Sequence, residues 1–279
     1  MAMLLTPAVD GVAKTMAASA PPMTVACLRY LAAGLVAVAV AACAGRRVSV
    51  PRRDFGRQIV RTALLMGAMT ALIAALGLVP MARAAGGFLV APVVSGLLGI
   101  FVWGEAATAP RLAGGAVSFV GAALLLRPEG GVEPGTLYAL LGGVLLGTYL
   151  AAQRAARDGT DALSTLAVQS LLGAALLAPF ALAHGLPAST PGLLAGALVL
   201  GLVSAACHGL TVLAYRRADA AVLAPFLYFN LLAATAAGWL WFGETPSSFT
   251  LAGLAGIVAG GLLALLPAGS ALSFRRAIG

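Results

Sequence analysis

The chain has 279 residues, 61% of them apolar, with only 17 Lys or Arg and 9 Asp or Glu, and its mean hydropathy is +1.01. That balance excludes an ordinary soluble domain and requires an integral membrane protein. A spanning helix uses about 20 apolar residues, so ten spans would consume roughly 200 positions and leave no room for a separate soluble domain.

Apolar runs broken by Pro, Gly and charge predict helices over residues 2–18, 22–44, 61–80, 84–103 and 109–127, then 134–156, 161–183, 191–214, 220–242 and 248–267. The first run holds Asp10 and Lys14 and lacks both a basic leader and a small-residue cleavage site. It does not resemble a signal peptide and is expected to remain as the first helix. Pro80 favours a break between the third and fourth runs. Cys27, Cys43 and Cys207 all lie in apolar stretches with no C-x-x-C pair and no metal-ligand spacing, so they read as small hydrophobes.

The net charge of +8 does not mark a nucleic-acid surface, because the arginines fall in short gaps between apolar runs. With ten spans and a cytoplasmic N-terminus, the inner gaps hold Arg46, Arg47, Arg52, Arg53, Arg57, Arg61, Arg111, Arg154, Arg157, Arg216, Arg217, Arg275 and Arg276, against Arg83 and Arg127 outside. Positive charge retained on the cytoplasmic side sets orientation, so both termini are expected inside.

The two halves resemble each other. Leu112–Gly130 aligns without gaps to Leu251–Gly269 with nine identities over 19 positions, at an offset of 139 residues. The same offset superimposes Gly104–Glu105 on Gly243–Glu244, and a slightly different one places Thr24–Leu35 on Thr165–Leu176. The chain therefore divides into five-helix units at 1–130 and 131–279. Because five is odd, the second unit enters the bilayer from the opposite side, giving two inverted repeats, an architecture associated with alternating access. Against the start of helix 6, helix 1 is short by several residues. GxxxG steps at Gly143/Gly147, Gly192/Gly196 and Gly256/Gly260 offer close helix packing in lipid.

On these features the chain resembles the EamA-type family of the drug/metabolite transporter superfamily. The resemblance rests on the paired WGE (Trp103–Glu105) and FGE (Phe242–Glu244), the LRY of helix 2 (Leu28–Tyr30), the run Ala224–Asn230 of helix 9 and the Gly-rich fifth and tenth helices. It implies a carrier of ten spans, with members similar to exporters of amino acids and other metabolites. The D-G-V-A-K run of helix 1, with the later Arg29–Tyr30, also resembles importers of cofactors such as riboflavin.

Ionisable groups at membrane depth are costly and face a cavity or a partner. Asp10 and Lys14, four residues apart on one face of helix 1, are expected to neutralise each other and to serve as a substrate-binding or proton-coupling site, with Lys14 nearer the outer surface. Arg29 lies about 10 Å into helix 2 from that side, placed for an anionic group or for Asp10. His208, a titratable group in helix 8, suits proton coupling or an interhelical hydrogen bond. Tyr149, Gln153, Gln169, Tyr228 and Asn230 complete the candidate contacts with a solute. Pro92 and Pro225 permit bends in helices 4 and 9 where a carrier gates. Glu105 and Glu244 precede helix starts, where negative charge is favourable, and are read as structural.

The expected protein is thus an all-α secondary active transporter of the bacterial cytoplasmic (inner) membrane, acting on a small organic solute. The preferred solute is an amino acid or related metabolite, with export preferred over import. Its partners are the solute and the lipid bilayer, with proton coupling as an option and no nucleic acid, as a monomer or homodimer. No cofactor and no metal site are expected. No Walker-type loop is present, Lys14 is the only lysine, and no catalytic cluster of the kind a membrane enzyme needs is visible. A channel would show a filter segment or a charged ring, and neither is found.

Overall fold

The computed structural model describes residues 2–49, 54–104, 108–126, 133–155, 162–183, 191–217 and 229–266, and all regular secondary structure among them is helical. The elements are α1 (Ala2–Ala17), α2 (Pro22–Cys43), α3 (Phe55–Leu76), α4 (Met81–Phe88), α5 (Ala91–Trp103), α6 (Ala109–Leu126), α7 (Pro134–Ala155), α8 (Ala162–Ala183), α9 (Pro191–Arg217), α10 (Phe229–Phe242) and α11 (Ser248–Ala264). Five stretches are long and apolar enough to cross a membrane: Pro22–Cys43, Phe55–Leu76, Met81–Val102, Pro134–Gln153 and Leu163–Ala183. Three shorter apolar helices lie at Ala109–Leu125, Leu194–Cys207 and Ser248–Ala264.

Two boundaries differ from the sequence expectation for identifiable reasons. α3 begins at Phe55 rather than at 61, because Gln58 and Arg61 turn inward and bury their polar ends among protein partners instead of standing in a loop. The fourth run is two helices, α4 and α5, interrupted at Leu89–Val90. Pro92 sits in the first turn of α5 and has no N–H to give to the preceding turn, which accounts for a break just before it. Pro7 and Pro179 also lie inside helices, α1 and α8, where no bend was anticipated. Pro225 lies outside the described residues.

Lipid offers no hydrophobic force between helices, so close approach through small residues has to hold them together. The longest seam runs between α6 and α11. Gly114 lies against Gly260 and Ala264, Gly121 against Gly253 and Gly256, and between them Ser118 Oγ donates to the Ile257 carbonyl at 3.2 Å. The order of these contacts makes the two helices antiparallel. α2 packs along α8, α3 along α7, and α1 along α9. Gly143 and Gly147 meet the backbone of α4 and α5 at Gly87 and Ala91. In the third GxxxG step, Gly196 touches Met16 but Gly192 has open space, so that step is not a packing seam. The outer surface is apolar, with Phe101, Phe119 and Leu240 largely exposed, as a lipid-facing surface must be.

At Gly121 a Cβ would stand 2.6–2.8 Å from backbone atoms of Gly253, Gly256 and Ile257, none of which can step aside. Gly121→Val is therefore expected to destabilise the protein by about 1–3 kcal/mol through overpacking. Gly192→Ala, with nothing within 4 Å, is expected to leave it unchanged, both read as melting temperature in detergent.

Candidate functional site

α1, α2, α3, α8 and α9 line a cavity of about 180 Å³. Arg29 and Tyr30 reach it from α2, Gln169 and Ser170 from α8, and Ser204 and Cys207 from α9. On α1 the lining residues are Thr6 and Val9, and Asp10 beside them is 4% exposed. Asp10 Oδ1 lies 3.9 Å from Arg29 Nη1, within ion-pair range but beyond a hydrogen bond.

Several polar atoms around this cavity have no hydrogen-bond partner: Asp10 Oδ1, Arg29 Nη1, Tyr30 Oη, Gln169 Nε2 and Ser204 Oγ. A buried polar group left unpaired costs about 1–3 kcal/mol. Arg29, Tyr30, Gln169 and Ser204 line one cavity and Asp10 adjoins it, an arrangement with the chemistry to bind a polar ligand. Gln169 is held in place on its other side, since its Oε1 accepts from Tyr149 Oη at 3.2 Å.

The anticipated pairing of Asp10 with Lys14 does not occur. Asp10 pairs with Arg29, and the Lys14 ammonium lies 3.0 Å from Glu244 Oε1. Lys14 also donates to the carbonyls of Leu76 at 2.7 Å and Val79 at 2.9 Å, with the Phe242 ring centroid 5.6 Å away. Glu244 in turn accepts from the Met81 backbone N–H at 2.7 Å through Oε2. This corrects the expectation that Glu244 serves the helix that follows it. The start of α11 is capped by Ser247, whose Oγ accepts from Thr250 N, and Glu244 caps α4 instead. Gly243, at φ +65°, makes the left-handed turn that sends Glu244 back across the bundle. Gly104 has the same conformation in the other Gly–Glu pair, at φ +66°, and Glu105 lies outside the described residues.

Arg61 belongs inside the protein rather than among the orienting loop charges. It donates to Gln153 Oε1 at 2.9 Å and Gln58 Oε1 at 2.6 Å. Leu65 and Met69, one and two turns further along the same face of α3, line the cavity, so Arg61 stands at its floor. Asn230 is half-buried in the first turn of α10, with an unpartnered Oδ1, and is not among the described cavity residues. The side chains of His208 and Tyr228 lie outside the described residues.

Tyr30, Ser204 and Arg61 are the contributions that sequence reasoning missed. Tyr30 adjoins Arg29 and Ser204 lies one turn before His208, but a hydroxyl in an apolar run carries no signal of its own. Cys207, read as inert packing, lines the cavity.

The EamA-like transporter family model matches the chain twice, over residues 2–127 and 133–266. A riboflavin transporter from Rhizobium johnstonii is 31% identical over 211 residues, covering 74% of this chain and 68% of that protein. A solved crystal structure shares the fold with a TM-score of 0.59 at 23% identity, over 94% of both chains.

Removing one member of a buried ion pair strands the other, at a cost of about 3–5 kcal/mol for a tight pair. The 3.9 Å separation of Asp10 and Arg29 puts this one at the lower end. Arg29→Met is expected to lower the melting temperature, and adding Asp10→Asn to restore most of the loss.

Proposed function

The chain belongs to the EamA-like transporter family, and from that membership we propose that it is a secondary carrier moving a small zwitterionic solute, of the amino-acid class, by alternating access. The observation that carries this reading is the loose Asp10–Arg29 pair at a cavity edged by unpartnered polar atoms. A solute bearing both an ammonium and a carboxylate satisfies the two charges at once, and its other polar atoms answer Tyr30, Gln169 and Ser204. A cavity of about 180 Å³ also suits a small solute, since drug-sized ligands occupy roughly 300–1,000 Å³.

Alternating access draws support from the contact pattern of α6 and α11. Gly114 meets Gly260 and Gly121 meets Gly253, pairs that exchange when each residue is moved by the 139-residue repeat offset. Ser118 and Ile257, which bond to each other, are themselves repeat equivalents. Such exchange is what a two-fold axis between inverted repeats produces. The two matches of the family model, one in each half, support the division at 1–130 and 131–279. The arginine distribution supports ten spans with both termini cytoplasmic in the bacterial inner membrane, and within this reading export is the preferred direction.

A second reading has a specific basis in the related riboflavin transporter: an importer of a flavin-like cofactor, whose hydroxyls would use the same unpartnered atoms in a wider state of the cavity.

The test is a melting-temperature screen of the purified protein against amino acids, flavins and nucleosides, since a ligand that binds only the folded state stabilises it. Flux of the hit into proteoliposomes follows. Asp10→Asn and Arg29→Ala are each expected to reduce saturable flux at least tenfold at unchanged membrane insertion. Stabilisation by flavins alone replaces the amino-acid class with the flavin class, and normal flux in both variants removes the pair from the site.

A further inference from the structure

Lys14 and Glu244 stand away from the cavity, and what they join is informative. Leu76 is the last residue of α3 and Met81 the first of α4. The Lys14 ammonium therefore sits on the carbonyl, negative end of α3, while the Glu244 carboxylate sits on the amide, positive end of α4. α4 has no side-chain cap of its own, because Pro80 stands at that position. One ion pair thus bridges the tip of α1, the α3–α4 turn and the α10–α11 turn, linking the second half of the chain to the first.

Between this ion pair and the cavity the packing is mainly apolar, with the buried Thr24 hydroxyl beside Val25 on α2 as an exception. Ala13 and Met16 on α1, Val25 on α2, Leu72 on α3 and Leu200 on α9 belong to one buried cluster. Each lies one to two turns beyond the cavity-lining residues of its own helix, all displaced toward the same end of the bundle. The Trp241 ring closes over Gly11 beside them, leaving no space for a side chain there. The cavity is therefore shut at the α1 C-terminal end by an apolar plug, and the plug is tied down by Lys14 and Glu244. Arg83 reinforces the same end by bonding to Glu133 at the start of α7 and to Thr250 of α11.

Resting on the carrier reading above, we propose that Lys14 and Glu244 are gate residues, whose contacts close this end of the cavity and must break and re-form in each transport cycle. They act by positioning α1 against the α3–α4 turn and do not touch the solute. A charged latch suits this task. Its contacts hold firmly while they exclude water, and each charge regains hydration once the tip of α1 swings away.

The test places a single cysteine at Ala13, which is 0% exposed behind the latch, in protein whose Cys27, Cys43 and Cys207 are replaced by alanine. The rate of its modification by a hydrophilic maleimide is read in lipid nanodiscs without solute. Glu244→Gln, which keeps an acceptor for Met81 N–H and loses only the charge, and Lys14→Gln are each expected to raise that rate at least fivefold. A cysteine at Ala68, equally buried but outside that cluster and packed against Gly142 of α7, serves as the control and is expected to keep its rate. Unchanged modification at position 13 in both variants overturns the gate, and an equal rise at position 68 reduces the ion pair to a general prop of the fold. Because no solute is present, failure here is separate from failure of the carrier reading.

Discussion

Hydrocarbon supplies no water, so a polar atom inside this bundle has protein for a partner or has none. Lys14 and Asp10 show the two outcomes on a single helix. The Lys14 ammonium is held by a carboxylate, the carbonyl of Leu76 at the end of α3 and that of Val79 in the following turn. Four residues earlier, Asp10 has a guanidinium 3.9 Å away, and the facing atoms of both groups lack hydrogen bonds. The same solvent that makes the first arrangement firm makes the second receptive, because what a buried charge lacks in protein contacts a ligand can supply.

The same constraint explains how a chain so poor in directional contacts holds a defined shape. Side chains that are greasy on every face cannot select their neighbours by hydrophobicity when the solvent is equally greasy. Backbone proximity does the selecting. At the α6–α11 seam five glycines and Ser118 bring the two helices into mutual contact, and a side chain at any of the glycines would meet backbone. A seam of this kind is rigid, whereas α4–α5, broken at Leu89–Val90, and α1, anchored at its tip by charge, have discrete points at which to move.

The cavity is walled by α1, α2 and α3 from the first half and α8 and α9 from the second. A ligand held there touches both halves together. A solute can shift a protein between states only by binding one of them better, and a site divided in this way meets that requirement whenever the halves change their relation. The Asp10–Arg29 pair lies wholly in the first half, and Gln169 and Ser204 answer it from the second.

Much of this was legible in the amino-acid sequence, and the remainder was not, for one physical reason. Composition alone dictated a membrane protein, because a chain with so few charges has no soluble alternative. Seven helices of the sequence reading, from 2–18 to 248–267, begin and end within three residues of those observed, because Pro, Gly and charge mark where apolar runs stop. Asp10 and Arg29 stood out because ionisable groups are conspicuous against an apolar background. Partnership is another matter. Helical spacing put Asp10 and Lys14 on one face, yet periodicity along a helix says nothing about what stands opposite. Lys14 found Glu244, 230 residues away, and Asp10 found Arg29. Arg61 resembled a loop charge and lies buried between Gln58 and Gln153. Sequence determined which residues enter the membrane and which of them are costly there. The tertiary structure alone decided which of those costs are met by protein and which are left unmet, since burial is settled by helices distant in the chain.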